Sequence, residues 1–227
     1  MAYFQRLFFL ALVAGVVGGV LASTLNIAIN VPTIMQAEVF EHAAEHQTRA
    51  DEAPHEHGQV SALGRNFITL TAMVLAFVGY AFLVSVVAEV SGGLRTWGSG
   101  LFWGMGGFLA FNLVPAIGLP PELPGMPAAD LSQRQLWWLC CAFCTAGALL
   151  LAANARKAAA YFASLVLLAA PFLYGAPTAD GIATLVPEEL QRHFVLGTLA
   201  AGLVAWVAMG VTLGVLRSGD RYRTVLG

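Results

Sequence analysis

Six long apolar runs restrict this chain to folds that can cross a lipid bilayer. Of its 227 residues, 58% are hydrophobic and 11% are charged, whereas a soluble domain carries about 25% charged residues. A helix needs about 20 apolar residues to cross the hydrocarbon, and it satisfies its own backbone hydrogen bonds there. The runs that reach or approach this length are 7–31, 66–88, 97–118, 136–153, 158–174 and 194–216. We therefore predict an all-α integral membrane protein, a polytopic bundle of six transmembrane helices that forms a single domain over residues 1–227.

Two of these runs need a choice between topologies. The fourth and fifth runs are short and are separated only by residues 154–157, which include Arg156 and Lys157. A single helix through both would place two cations near the bilayer centre, at about 2.5–3.5 kcal/mol each, so we expect a tight helical hairpin. The first run follows Arg6, as in a signal peptide, but it stays apolar as far as Ile29. That length exceeds a usual signal sequence, and we expect a retained helix.

The charges between the runs predict an orientation. With the N-terminus inside, seven positive residues lie on the inner side and four on the outer side, as the positive-inside rule requires. The inner set is Arg6, Arg95, Arg156, Lys157, Arg217, Arg221 and Arg223, and the outer set is Arg49, Arg65, Arg134 and Arg192. Eleven of the thirteen acidic residues fall outside, which gives a net charge of +5 inside and −7 outside. We expect both termini in the cytoplasm and an outer face that attracts cations.

A polar segment between the first two runs, within the outer loop 32–65, carries candidate metal ligands. Four of the five histidines and six of the thirteen acidic residues of the chain lie between residues 38 and 57. Imidazole and carboxylate groups bind divalent transition metals. The candidates are His42, His46, His55, His57, Glu38, Glu41 and Glu45. His42 and His46 are four residues apart, a spacing that places both on one face of a helix. The alternative is a solvated acidic loop with incidental histidines.

Three further polar residues are candidates for a path through the bundle. Glu122 and Asp130 lie in a proline-rich outer loop, where Asp130 also has the position of a helix N-cap. Asn112 precedes Pro115 within the third run, and a proline leaves a carbonyl without its helical donor. The alternatives are a structural loop for the first two and a bridge between helices for Asn112.

The sequence lacks several motifs that are typical of enzymes. The chain has no phosphate-binding loop, no HExxH and no G-x-S-x-G, so we expect no enzyme and no tightly bound cofactor.

Three glycine pairs at four-residue spacing, the first being Gly15 and Gly19, predict close helix packing. Cys141 and Cys144 lie in an apolar run, where we expect buried thiols. The six runs allow an inverted 3+3 repeat, although no sequence similarity between the halves is apparent.

The proline-rich loop also carries a family resemblance. Residues 118–138 read Gly-Leu-Pro-Pro-Glu-Leu-Pro-Gly-Met-Pro-Ala-Ala-Asp-Leu-Ser-Gln-Arg-Gln-Leu-Trp-Trp and resemble the signature stretch of the CbtA proteins, predicted cobalt transporter subunits. The N-terminal Phe4-Gln-Arg-Leu, the stretch 36–41 before the histidine-rich loop, and residues 171–177 are similar to the family as well. The resemblance covers nearly the whole chain.

This resemblance implies a multi-pass protein of the bacterial inner membrane that takes up cobalt for vitamin B12 metabolism. It also implies a small, single-span, histidine-bearing partner of the CbtB type. The positions that match the family's polar residues are Glu38, Glu41, Glu122, Asp130 and Arg134, and the four histidines match only as a histidine-rich region. His193 has no match.

We thus expect a divalent-metal uptake permease subunit for cobalt or nickel, with the histidine loop on the periplasmic side. We expect membrane lipid as a partner, and we expect no nucleic acid partner. The alternative function is a non-transporting accessory or structural subunit of a larger membrane protein complex.

Overall fold

The computed structural model describes residues 2–48, 62–91, 93–179, 184 and 186–225, and these residues contain helices and no strand. The helices are α1 Ala2–Leu25, α2 Val31–Thr48, α3 Ala62–Ser91, α4 Trp97–Phe108, α5 Val114–Gly118, α6 Leu131–Ala153, α7 Ala158–Tyr174 and α8 Glu188–Val225. Two five-residue π-helical segments interrupt this series. We call Asn26–Asn30 the first π-turn and Leu109–Leu113 the second π-turn.

The helix lengths confirm a membrane-spanning bundle. Five helices of the described residues are long and apolar enough to cross a membrane, and α7, with 17 residues, is a shorter apolar helix. The run that we expected to end at residue 31 instead remains helical along the chain from α1 through the first π-turn into α2. The physical reason is the π-turn, which lets the helix pass Pro32 without breaking.

The helices divide into two compact units. The first comprises the described parts of Met1–Pro32, Arg49–Gly107 and Ala200–Gly227, and the second comprises Thr33–Thr48 and Phe108–Leu199. Each has its own interior, and each contains or borders one π-turn.

Glycines allow close helix packing in the first unit. A methyl group added at Gly15 would collide with the backbone of Val78, and one added at Gly19 would collide with Val74, so α1 and α3 run antiparallel in backbone contact. Gly100 meets Gly210 in the same way, which packs α4 against α8. These contacts confirm the packing role predicted for the glycine pairs.

Aromatic and ionic contacts complete the first unit. The Trp206 ring is fully buried, with its centroid 5.8 Å from that of Phe77 and 4.9 Å from that of Tyr80. At the end of α3, Glu89 forms an ion pair with Arg217 of α8.

The second unit is built around the hairpin of α6 and α7, which confirms the predicted tight turn at residues 154–157. The buried Trp137 donates from its indole N–H to the carbonyl of Pro171, at 3.2 Å. Its ring meets Phe172 edge to face, with centroids 5.8 Å apart. Cys141 is buried in α6, as expected, whereas Cys144 is only half-buried.

Candidate functional site

The histidine-rich segment begins on α2, which extends to Thr48. The helical backbone places positions 38, 42 and 46 one turn apart along one face. Of the candidate ligands, the Glu38 side chain is described and is half-buried, whereas the side chains of Glu41, His42, Glu45 and His46 are not among those described. His55 and His57 lie outside the described residues, so the metal site proposed from the sequence stays a prediction.

The first half of α2 packs in the interior of the second unit. Ala37 is buried in a cluster with Leu123 of the proline-rich loop and Val186, just before α8. Partly buried apolar side chains extend this cluster, namely Ile34, Met126, Leu190 and Phe194. Glu38 directly follows Ala37 in α2, so the backbone of the first candidate ligand adjoins this cluster.

The proline-rich loop holds an ion pair that the sequence did not reveal. Glu122 lies 2.7 Å from the guanidinium of Arg134, and the two side chains are only 22% and 29% exposed. The loop and the first turn of α6 are therefore tied by opposite charges. The carboxylate of Glu122 is thus paired with a cation in this structure, and its role in a metal path stays a prediction.

Asp130 occupies the N-cap position of α6, as predicted. Its carboxylate accepts a hydrogen bond from the backbone N–H of Gln133, at 3.1 Å. This bond satisfies one of the amide groups that a helix leaves without partners at its start. The predicted N-cap is thus confirmed, and a role of Asp130 in a metal path stays a prediction.

Asn112 lies on the second π-turn, two residues before Val114 and three before Pro115. The N–H of Val114 donates to the carbonyl of Leu109, five residues earlier, which widens the helix by one residue. Pro115 has no N–H, so it cannot donate to Ala110 or Phe111. The helix therefore has polar main-chain oxygens within an apolar span, as the sequence led us to expect.

A groove of about 540 Å³ opens beside this π-turn within the second unit. Its polar lining comes from Asn112, Arg134, Gln135 and Thr198, and its remaining walls are mostly apolar, with Phe111 and Trp138 as the aromatic residues. The rings of Phe111 and Trp138 lie 6.0 Å apart. Asn112 and Arg134, the cationic partner of the Glu122–Arg134 ion pair, therefore line the same groove.

These residues do not form a preformed metal cage. Across the parts of the chain that the structure describes, no three His, Cys, Asp or Glu side chains form a group that could hold a metal ion. In the second unit, the polar side chains that line the groove are the neutral Asn112, Gln135 and Thr198 and the cationic Arg134.

A model of a known protein family matches most of the chain. A family model described as CbtA, probable cobalt transporter subunit, matches residues 4–218. Neither a curated protein nor a solved structure matches the chain. The match includes the proline-rich loop, both π-turns and the histidine-rich segment.

Proposed function

The chain belongs to the CbtA family of probable cobalt transporter subunits, and we propose that it is the membrane-embedded subunit of a cobalt uptake permease. In this proposal a histidine- and glutamate-rich loop captures the ion, and the helix bundle passes it on. Nickel is the alternative cargo, because imidazole and carboxylate ligands accept both metals.

The density of histidines in one segment is the observation that carries the capture step. Four of the five histidines of the chain lie within the sixteen positions 42–57, interleaved with acidic residues. Neutral imidazole and carboxylate groups are ligands of divalent cobalt and nickel. The packing of Ala37 with Leu123 joins the first half of α2 to the proline-rich loop. This packing supports a link between ion capture by the histidine-rich loop and the groove.

The groove at the second π-turn is our candidate for the next step. Asn112 and Gln135 offer neutral oxygen atoms to it. The Glu122–Arg134 pair gives this end of the groove little net charge. An ion that meets neutral oxygens binds weakly enough to leave again, as conduction requires.

The expected setting follows from the charge distribution. The protein is a multi-pass membrane protein. We propose that it lies in the bacterial inner membrane with both termini in the cytoplasm and the histidine-rich loop in the periplasm, because the positive residues concentrate on the other side. The family description as a subunit supports a protein partner, for which we propose a small single-span chain of the CbtB type.

Isothermal titration of Co²⁺ into the purified protein tests the capture step. Replacement of His42, His46, His55 and His57 by Ala should weaken Co²⁺ binding at least about tenfold, since each lost imidazole removes a ligand. The matched control is His193→Ala, which removes the exposed histidine outside the segment and should leave binding unchanged. Equal Co²⁺ affinity in the fourfold variant and the wild type would rule out capture by this loop.

A further inference from the structure

We propose that the groove beside the second π-turn binds one zwitterionic phospholipid whose headgroup carries a primary ammonium group. The lipid phosphate binds Arg134, its ammonium binds Glu122, and an acyl chain lies along the apolar wall of α6. This site goes beyond metal transport, and it holds a lipid at a defined place, unlike the general lipid around the bundle. A seated lipid and a passing ion would exclude each other from the groove.

The groove has room for a ligand and is accessible along α6. Its volume of about 540 Å³ lies in the range of small-molecule pockets. Two wall residues on α6, Leu131 and Leu139, are 64% and 42% exposed. Since α6 is long and apolar enough to cross a membrane, the exposed side of Leu139 contacts hydrocarbon. An acyl chain can therefore enter the groove from the side.

The groove has its charged residue at one end. α6 contributes Arg134 and Gln135 near its start, and Trp138 and Leu139 one turn further in. Helical side chains lean toward the helix N-terminus, so the guanidinium of Arg134 lies near the first turn of α6. At 1.5 Å per residue, the backbone of Leu139 lies about 7.5 Å deeper than that of Arg134. A charge at the loop end and an apolar wall below it match the order of headgroup and chain in a phospholipid.

The Glu122–Arg134 pair complements both charges of a zwitterionic headgroup. One guanidinium nitrogen of Arg134 lies 2.7 Å from a carboxylate oxygen of Glu122, and both side chains keep some exposed surface. A guanidinium has five N–H donors, so this contact leaves others for a phosphate. A carboxylate accepts several hydrogen bonds, so Glu122 can also accept from an ammonium N–H.

The same pair disfavours two other common phospholipids. Phosphatidylcholine has a quaternary ammonium without an N–H, so it cannot donate to the carboxylate of Glu122. Phosphatidylglycerol is anionic and has no cation to bind Glu122, whose charge already offsets that of Arg134. Phosphatidylethanolamine, which has both a phosphate and a primary ammonium, is therefore the expected ligand.

A second cavity shows what a less specific lipid surface has. A depression of about 570 Å³ opens on α3 in the first unit, around Gly79. Its lining residues include no charged side chain, and Tyr80 supplies the one polar group among them. Such a surface fits any acyl chain and selects no headgroup. The groove of the second unit differs by the ion pair at its end, so we assign the specific lipid there.

Thermal unfolding of the purified full-length protein in detergent tests this site. Phosphatidylethanolamine, phosphatidylcholine or phosphatidylglycerol with identical acyl chains is added at equal concentration, with EDTA present throughout to remove metal ions. Phosphatidylethanolamine should raise the unfolding temperature most, because a lipid that binds only the folded state stabilises it. Each variant is compared with itself without lipid, which separates lipid binding from the stability of the variant.

Four variants sharpen the test. Glu122→Gln should switch the largest shift to phosphatidylglycerol, because Arg134 then lacks its partner, and Arg134→Gln should reduce the shift with phosphatidylethanolamine. Leu139→Trp should also reduce that shift, since a larger side chain at this exposed position fills the groove without changing the ion pair. The matched control Arg156→Gln removes an exposed cation beyond the other end of α6 and should retain the wild-type preference.

Three outcomes would overturn the proposal. These are equal shifts of the wild type with all three lipids, an unchanged preference for phosphatidylethanolamine in Glu122→Gln, and loss of that preference in Arg156→Gln. None of them bears on Co²⁺ binding by the histidine-rich segment, which the titration measures separately.

Discussion

The two π-turns share a backbone but differ in their surroundings. Each widens a helix by one residue directly before a Val-Pro pair. The first carries Asn30, which is 2% exposed, whereas the second carries Asn112, which lines an open groove. The comparison teaches that a proline in a membrane helix sets the distortion, while the neighbouring side chains decide what the freed oxygens can do.

The helices around the two turns also pack by different means. In the first unit, glycines such as Gly15 let α1 contact the backbone of α3 directly. In the second unit, polar bonds join the segments, among them the Trp137 N–H to the Pro171 carbonyl and the Glu122–Arg134 ion pair. We therefore expect substitutions at these glycines to act through steric overlap and those at these polar pairs to act through lost polar contacts.

The largest effect is expected from Gly15→Leu. Its side chain would collide with the backbone of Val78, which cannot rotate away as a flexible side chain can. Overpacking of this kind costs about 3 kcal/mol or more of unfolding free energy. Denaturation of the detergent-solubilised protein, followed by circular dichroism, measures the loss.

Gly79→Leu on α3 is the matched control. A methyl group added at Gly79 meets nothing within 4 Å, so the same substitution there should leave the unfolding free energy nearly unchanged. Equal destabilisation by both leucines would contradict the view that backbone contact holds the first unit together.

A medium effect is expected from Glu122→Gln in the second unit. The substitution removes the charge that neutralises Arg134, and both side chains are mostly buried. We expect a loss of about 1–2 kcal/mol, between the values for exposed and buried pairs. The corresponding Arg134→Gln and the double variant complete a thermodynamic cycle, and an interaction energy near zero would show that the pair does not join the loop to α6.

Much of the fold could be predicted from the sequence. The apolar runs 97–118 and 158–174 coincide with the helical spans found, because hydrocarbon requires helical backbone wherever the chain crosses it. The π-turns could not be predicted, since a proline permits either a kink or a widened turn. Placing Arg134 beside Glu122 required the path of the loop, which local propensity does not determine. The similarity between the two Val-Pro segments is short and became apparent only from their shared π-turns.

The smallest effect is expected from Asp130→Ala, which tests the helix N-cap that the sequence predicted. The carboxylate of Asp130 accepts from the N–H of Gln133, and loss of such an N-cap costs about 1 kcal/mol. Asp130→Asn should retain most of the stability, because an asparagine oxygen accepts the same bond, and Ser132→Ala on the exposed surface of α6 is the control. Co²⁺ binding should be unchanged in all three variants, because Asp130 serves the helix start. A selective loss of Co²⁺ affinity in Asp130→Ala and Asp130→Asn, with stability intact, would instead make Asp130 part of the metal path and would extend the polar surface of the second π-turn into the loop.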